Sequence, residues 1–162
     1  MQNLKYIIVV VVLIFGGVYL VNHYRSTPDE NPGGNSEYVV PDDIQVHIDS
    51  KAHLIRLTSP EPGAEITNPV TVTGEARGYW YFEASFPISV VDWDGKIIGQ
   101  GYATADGEWM TEEFVPFTGT VNFDITEIHN NYSDRGTLIL MKDNPSGLPE
   151  YDDALEIPVI LK

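Results

Sequence analysis

Between residues 80 and 90 the chain switches side-chain type at every position. Trp80, Phe82, Ala84, Phe86, Ile88 and Val90 fall on one side of an extended segment, and Tyr81, Glu83, Ser85, Pro87 and Ser89 on the other. A period of two puts successive side chains on opposite faces of a strand and fits no helix. A strand patterned this way needs a sheet with one buried face. Pro87 has no N–H for a ladder, so the strand is expected to be an edge there or to carry a bulge.

The same period recurs along the rest of the chain. Ile44, Val46 and Ile48 alternate with Gln45, His47 and Asp49, and Ile55 and Leu57 with Arg56 and Thr58. Val70, Thr71, Val72 and Thr73 alternate in turn. Residues 96–103 follow Asp94-Gly95, and residues 109–111 follow Asp106-Gly107, both strong hairpin signals. Val121, Phe123 and Ile125 continue the pattern, residues 137–141 form a short apolar run, and Ile157, Val159 and Leu161 close it. No segment after residue 24 shows a helical stripe, apart from room for one short turn in residues 125–132. Many short strands with regularly spaced turn signals predict an all-β fold. The expected architecture is an immunoglobulin-like antiparallel β-sandwich of seven to eight strands with Greek-key connections. The chain has no cysteine, so the sandwich is expected to hold by its core alone.

Residues 6–21 carry no charged or strongly polar side chain. As a helix they would cover about 24 Å, and continuing through Asn22, His23 and Tyr24 brings the length near a hydrocarbon core, at about 28 Å. The competing reading is a cleaved secretory signal. Asn22, His23, Tyr24 and Arg25 supply none of the small residues of a cleavage site, which favours an uncleaved signal anchor over residues 1–24. The expectation is a single-pass protein of the cell membrane, held through residues 6–21, with its C-terminal domain extracytoplasmic. Residues 25–43 are rich in Pro, Gly, Asn, Ser and acid and read as a flexible linker with a reach of about 25 Å. Only residues 38–41 read alternatively as a loop packed on the domain. The β-sandwich domain is expected over residues 44–162.

Charge and motif content exclude several function classes. The formal net charge is -15, and seven basic residues stand against 24 acidic ones after residue 26. A surface this negative repels phosphate backbones, so no nucleic acid is expected as a partner. Without cysteine there is no thiolate chemistry and no thiolate metal site. His47, His53 and His129 have no metal-ligand spacing. The carboxylate pairs Asp92/Asp94, Glu112/Glu113 and Asp152/Asp153 lack a calcium-loop pattern, so no metal and no cofactor are expected. No nucleophile elbow, phosphate loop or dinucleotide fingerprint occurs, and no catalytic residue is assigned.

Two groups of residues remain as binding candidates. Tyr81 lies on the face opposite Trp80, and Trp93 lies in a turn. If exposed, such rings suit a protein or glycan partner. Asn144, Pro145, Ser146, Gly147, Leu148 and Pro149 form a loop that two prolines stiffen, and a stiff loop costs little to order on association. The plain alternatives are rings lying flat on the sheet and a loop that only turns the chain.

A set of phrases resembles one family in order and spacing. They are Leu57-Thr58-Ser59-Pro60 with Pro62-Gly63-Ala64, then Asn68-Pro69-Val70-Thr71-Val72-Thr73-Gly74-Glu75-Ala76, and Phe82-Glu83-Ala84-Ser85-Phe86. Trp109-Met110-Thr111, Phe114-Val115-Pro116-Phe117 and Asp143-Asn144-Pro145-Ser146-Gly147-Leu148-Pro149 follow. Together they resemble the immunoglobulin-like domain of bacterial spore germination, of the Gmad type. The resemblance implies a small extracytoplasmic sandwich domain without catalytic activity. The combined expectation is a tethered, non-enzymatic binding or assembly module of the cell envelope, with an envelope protein as partner. A carbohydrate- or peptidoglycan-binding module, taking a cell-wall glycan, is the alternative. An enzyme with a deep polar pocket and a plain spacer are the remaining rivals.

Overall fold

A computed structural model of the protein describes residues 38–127 and 133–162. Residues Tyr38–Lys162 form one compact unit. Helix α1 (Asp42–Lys51) is followed by eight strands among the described residues. These are β1 (Ile55–Ser59), β2 (Glu65–Ile66), β3 (Val70–Arg77), β4 (Ser85–Asp92), β5 (Ile97–Ala105), β6 (Phe114–Phe123), β7 (Arg135–Met141) and β8 (Ala154–Leu161). They join in one sheet with the order β1-β3-β6-β5-β4-β7-β8-β2. All neighbours are antiparallel except β2 and β8.

The sheet curls over at β5. The inner face of that strand is Gly99, Gly101, Ala103 and Ala105, all small, so side chains from its two neighbours meet across it. Phe86 of β4 and Phe117 of β6 pack edge to face at 5.0 Å. Ile88 lies so close to β6 that a Cβ on Gly119 would be 2.8 Å from its terminal methyl. The curl gives two facing layers with a continuous core of Trp80, Phe86, Phe117, Leu138, Ile157 and their neighbours. The expected all-β, immunoglobulin-like architecture is present.

Four local expectations are corrected. Residues 42–51 form a helix, not a strand. Ile44 and Ile48 are spaced i, i+4, a pair that shares a face in both periods. Val46 separates the two readings, because a strand would bury it with them and it is 67% exposed. Asp42 and Asp43 in the first turn and Lys51 in the last suit the helix dipole. The helix is held to β8, where the backbone N–H of Glu156 donates to His47 Nε2 at 3.3 Å and the Lys51 ammonium pairs with Asp153.

The alternation of residues 80–90 is also not one strand. Gly78–Trp80 form a turn of 3-10 helix, and Phe82 to Ser85 make a tight two-residue turn closed by backbone bonds of 2.9 and 3.1 Å. Glu83 and Ala84 at its centre have φ of 49° and 62°, the mirror-image geometry of a type I′ turn. Two non-glycine residues give no sequence signal for that turn. Past it the reading holds, with Phe86, Ile88 and Val90 fully buried. β4 is an interior strand of the sheet, paired with β5 along its length and with β7 from Ile88 on. At Pro87 itself only β5 is paired, because the β7 ladder starts at Ile88, and the missing N–H costs no sheet bond there.

Residues 109–111 lie in an irregular connection between β5 and β6 rather than in a strand. Ile125 leaves β6 for the 3-10 turn Ile125–Glu127 and is exposed. Tyr38 lies against the turn at Gly63, where a Cβ would be 2.0 Å from the tyrosine ring. Among the described residues no helix is long and apolar enough to cross a membrane. The expected span, residues 6–21, lies outside the described residues, as does His129.

Candidate functional site

Strand directions place three connections at one end of the domain: residues 78–84, 106–113 and 142–153. They are hydrogen-bonded to one another or to the strand ends between them. The N–H of Asp143 donates to the carbonyl of Trp80 at 3.0 Å, and that of Gly78 to Glu113 at 3.2 Å. A Cβ on Gly78 would stand 1.9 Å from the carbonyl oxygen of Thr111, so only glycine lets these two connections approach so closely.

Within the third connection, Asn144 organises the loop. Its Oδ1 accepts from the Ser146 N–H at 3.2 Å and from the Ser146 hydroxyl at 2.6 Å. Its Nδ2 donates to the Leu148 carbonyl at 2.8 Å and to Asp152 Oδ1 at 2.7 Å. The Ser146 hydroxyl oxygen accepts from the Leu148 N–H at 3.1 Å. Gly147 takes φ of +66°, which a side chain would resist. Pro149 then starts the 3-10 turn Pro149–Tyr151. Asn144 is part-buried, whereas Pro145, Ser146, Gly147, Leu148 and Pro149 are exposed. The loop is therefore stiffened by side-chain hydrogen bonds as well as by its prolines, and it presents Leu148 to solvent.

The electrostatics of this end are acidic. Burial lifts the Asp143 carboxyl above the ordinary carboxylate range, and the charge of Glu83 adds to the effect. Asp153 is engaged by Lys51, and Glu113 lies 3.8 Å from Arg77. Arg77 and Arg56 also cover the ring of Phe114, at 4.0 and 4.1 Å from its centroid.

Tyr81 does not belong to the surface. It is 3% exposed, packs against Phe86 at 5.3 Å and donates its hydroxyl to the Val115 carbonyl at 2.7 Å. The reason is the turn at Glu83 and Ala84, which ends the alternation and points Tyr81 inward and Phe82 outward. Burial drives the Tyr81 phenol well above its ordinary value. Trp93 is half-buried and lies at the opposite end, in the β4–β5 turn. There Asp92 Oδ1 accepts from the N–H groups of Asp94 and Lys96 at 3.0 and 2.9 Å, with Gly95 at φ +81°. Tyr81, Trp93 and the loop of residues 144–149 thus do not form one site. Among the described residues no group of three or more His, Asp or Glu side chains is arranged to hold a metal ion.

Sequence reasoning missed Tyr79, Phe82, Met110 and Tyr151, which are exposed in the same three connections as Leu148. The alternation of residues 80–90 and the hairpin signal before residues 109–111 point to strands at Phe82 and around Met110. The turn that places Phe82 carries no glycine, asparagine or proline signal at Glu83 and Ala84, whereas Asp106-Gly107 marks a turn before Met110 without showing that the connection runs on to Glu113.

The family model Gmad2, the immunoglobulin-like domain of bacterial spore germination, matches residues 54–147, more than half of the chain. The matched stretch runs from β1 into the loop of residues 144–149, while α1 and β8 lie outside it. No curated protein and no solved structure matches.

Proposed function

The chain belongs to the family of immunoglobulin-like domains of bacterial spore germination, and from that premise we propose that it is a non-enzymatic binding or assembly module of the bacterial cell envelope. In this reading residues 6–21 tether it to the membrane and the sandwich stands outside the cytoplasm. The apolar run, its lack of a cleavage-site pattern and the acidic C-terminal part support that placement.

One observation carries the binding reading. The loop of residues 144–149 is ordered by its own hydrogen bonds and still leaves Leu148 and the neighbouring Tyr151 about half exposed, at 48% and 53%. A loop that is already ordered loses little conformational freedom when a partner docks. A simple chain reversal between β7 and β8 needs neither a four-bond asparagine network nor two large apolar side chains in water. The glycan reading relied on Tyr81 or Trp93, and Tyr81 is interior.

The test is retention of envelope proteins on the immobilised full chain. A partner is expected to be retained in a saturable way and to be lost with Asn144→Ala, which releases the loop while leaving the sheet intact. If folded wild-type chain retains nothing, the spacer reading replaces this one.

A further inference from the structure

We infer that the loop end of the domain is a docking surface for a cationic, apolar-bearing segment of another polypeptide. This rests on the binding-module reading and names the surface and the class of partner. Among the described residues ten large hydrophobic side chains are exposed, and five of them, Tyr79, Phe82, Met110, Leu148 and Tyr151, lie in the three adjoining connections. Scattered single apolar residues are ordinary on a surface, but their concentration at one end of a domain marks an interaction site.

Charge selects the occupant. Residues 78–84, 106–113 and 142–153 together hold nine carboxylates and one lysine. Lys51 and Arg77 border this end, and each already faces one of those carboxylates. Exposed apolar side chains set among so many carboxylates attract a segment that offers lysine or arginine beside apolar side chains. It disfavours a second copy of this chain, whose net charge is -15, and equally an anionic lipid surface or a nucleic acid. The glycine contact at Gly78 and the Asn144 network hold the connections in place beforehand, so affinity is not spent on ordering them.

The probe is a short peptide of alternating lysine and leucine, titrated into the full chain in a neutral detergent with detergent alone as blank. Peptides of alternating glutamate and leucine, and of lysine and serine, are the controls. The lysine–leucine peptide is expected to bind, to shift the amide resonances of residues 144–151, and to weaken at high salt. Replacing Leu148 and Tyr151 together by serine should weaken it roughly tenfold, the scale of a central contact. Replacing Glu108, Glu112 and Glu150 by glutamine should weaken it too and flatten the salt dependence. Serine at the exposed Ile97 and Ile125, at the opposite end, should change nothing. Equal binding of the glutamate–leucine peptide, or loss only with the Ile97 and Ile125 variants, overturns the inference. If no peptide binds while the full chain still retains an envelope protein, this surface assignment falls and the binding-module reading stands. If neither binds, both fall.

Discussion

The hydroxyl of Tyr81 donates a 2.7 Å hydrogen bond to the carbonyl of Val115, 34 residues further along the chain and inside the core. The bond joins the connection before β4 to the start of strand β6, below the surface formed by the three connections. Tyr81→Phe leaves that carbonyl without its donor and should cost about 1 kcal/mol of stability, read as a lower urea midpoint. The phenol also links stability to pH. Its ionisation is raised in the folded state by burial, so its contribution is complete below the ordinary tyrosine range, near pH 10, and is lost as pH rises beyond it. Wild-type stability should therefore fall more steeply above that range than the stability of Tyr81→Phe, and an alkaline series of thermal melts would show it.

Ala84 occupies a left-handed conformation at φ 62° without the freedom of glycine. Ala84→Gly should raise stability by roughly 0.5–1 kcal/mol, since the left-handed strain outweighs the added freedom of the unfolded chain. A lower melting temperature for this variant would show that the turn is not strained.

Gly78 faces the carbonyl oxygens of Thr111 and Trp109, which would lie 1.9 and 2.2 Å from a Cβ. Both obstacles are backbone, so they cannot swing aside. Gly78→Ala should destabilise the protein by roughly 3 kcal/mol, in the range of a forced backbone shift. Amide exchange should rise first in residues 109–113.

Asp143 is held above the ordinary carboxylate range mainly by burial, with Glu83 adding like charge. A carboxylate raised by folding stabilises the folded state only when protonated, so its ionisation opposes folding at neutral pH. Asp143→Asn should melt higher than wild type at pH 7. The gain should shrink as pH falls through the raised value, and be gone below the unfolded value of about 3.9. An unchanged difference across that window would mean the carboxyl is not perturbed.

The binary pattern of the chain was sufficient for the fold class and for most strands. Phe86, Ile88 and Val90, the hairpin at Asp94-Gly95, and the alternation ending in Ile157, Val159 and Leu161 all occupy the positions their period requires. A two-residue period with one buried face leaves little choice of element, and the turn residues set where each element ends. The stiffness of residues 144–149 was legible for the same reason, from Pro145, Gly147 and Pro149.

What the sequence could not decide was which way side chains point where local signals are silent. Ile44 and Ile48 suit a helix or a strand, and contact with β8 selects the helix. Glu83 and Ala84 resemble strand residues, yet the chain turns at them and β4, paired to β5, begins only at Ser85. That single turn sends Tyr81 into the core and Phe82 to the surface. It also removes one expected binding residue and supplies another. The gathering of Tyr79, Met110 and Leu148 at one end is likewise a product of strand order. Residues far apart in the chain become neighbours only when the sheet closes, and no local pattern encodes that proximity.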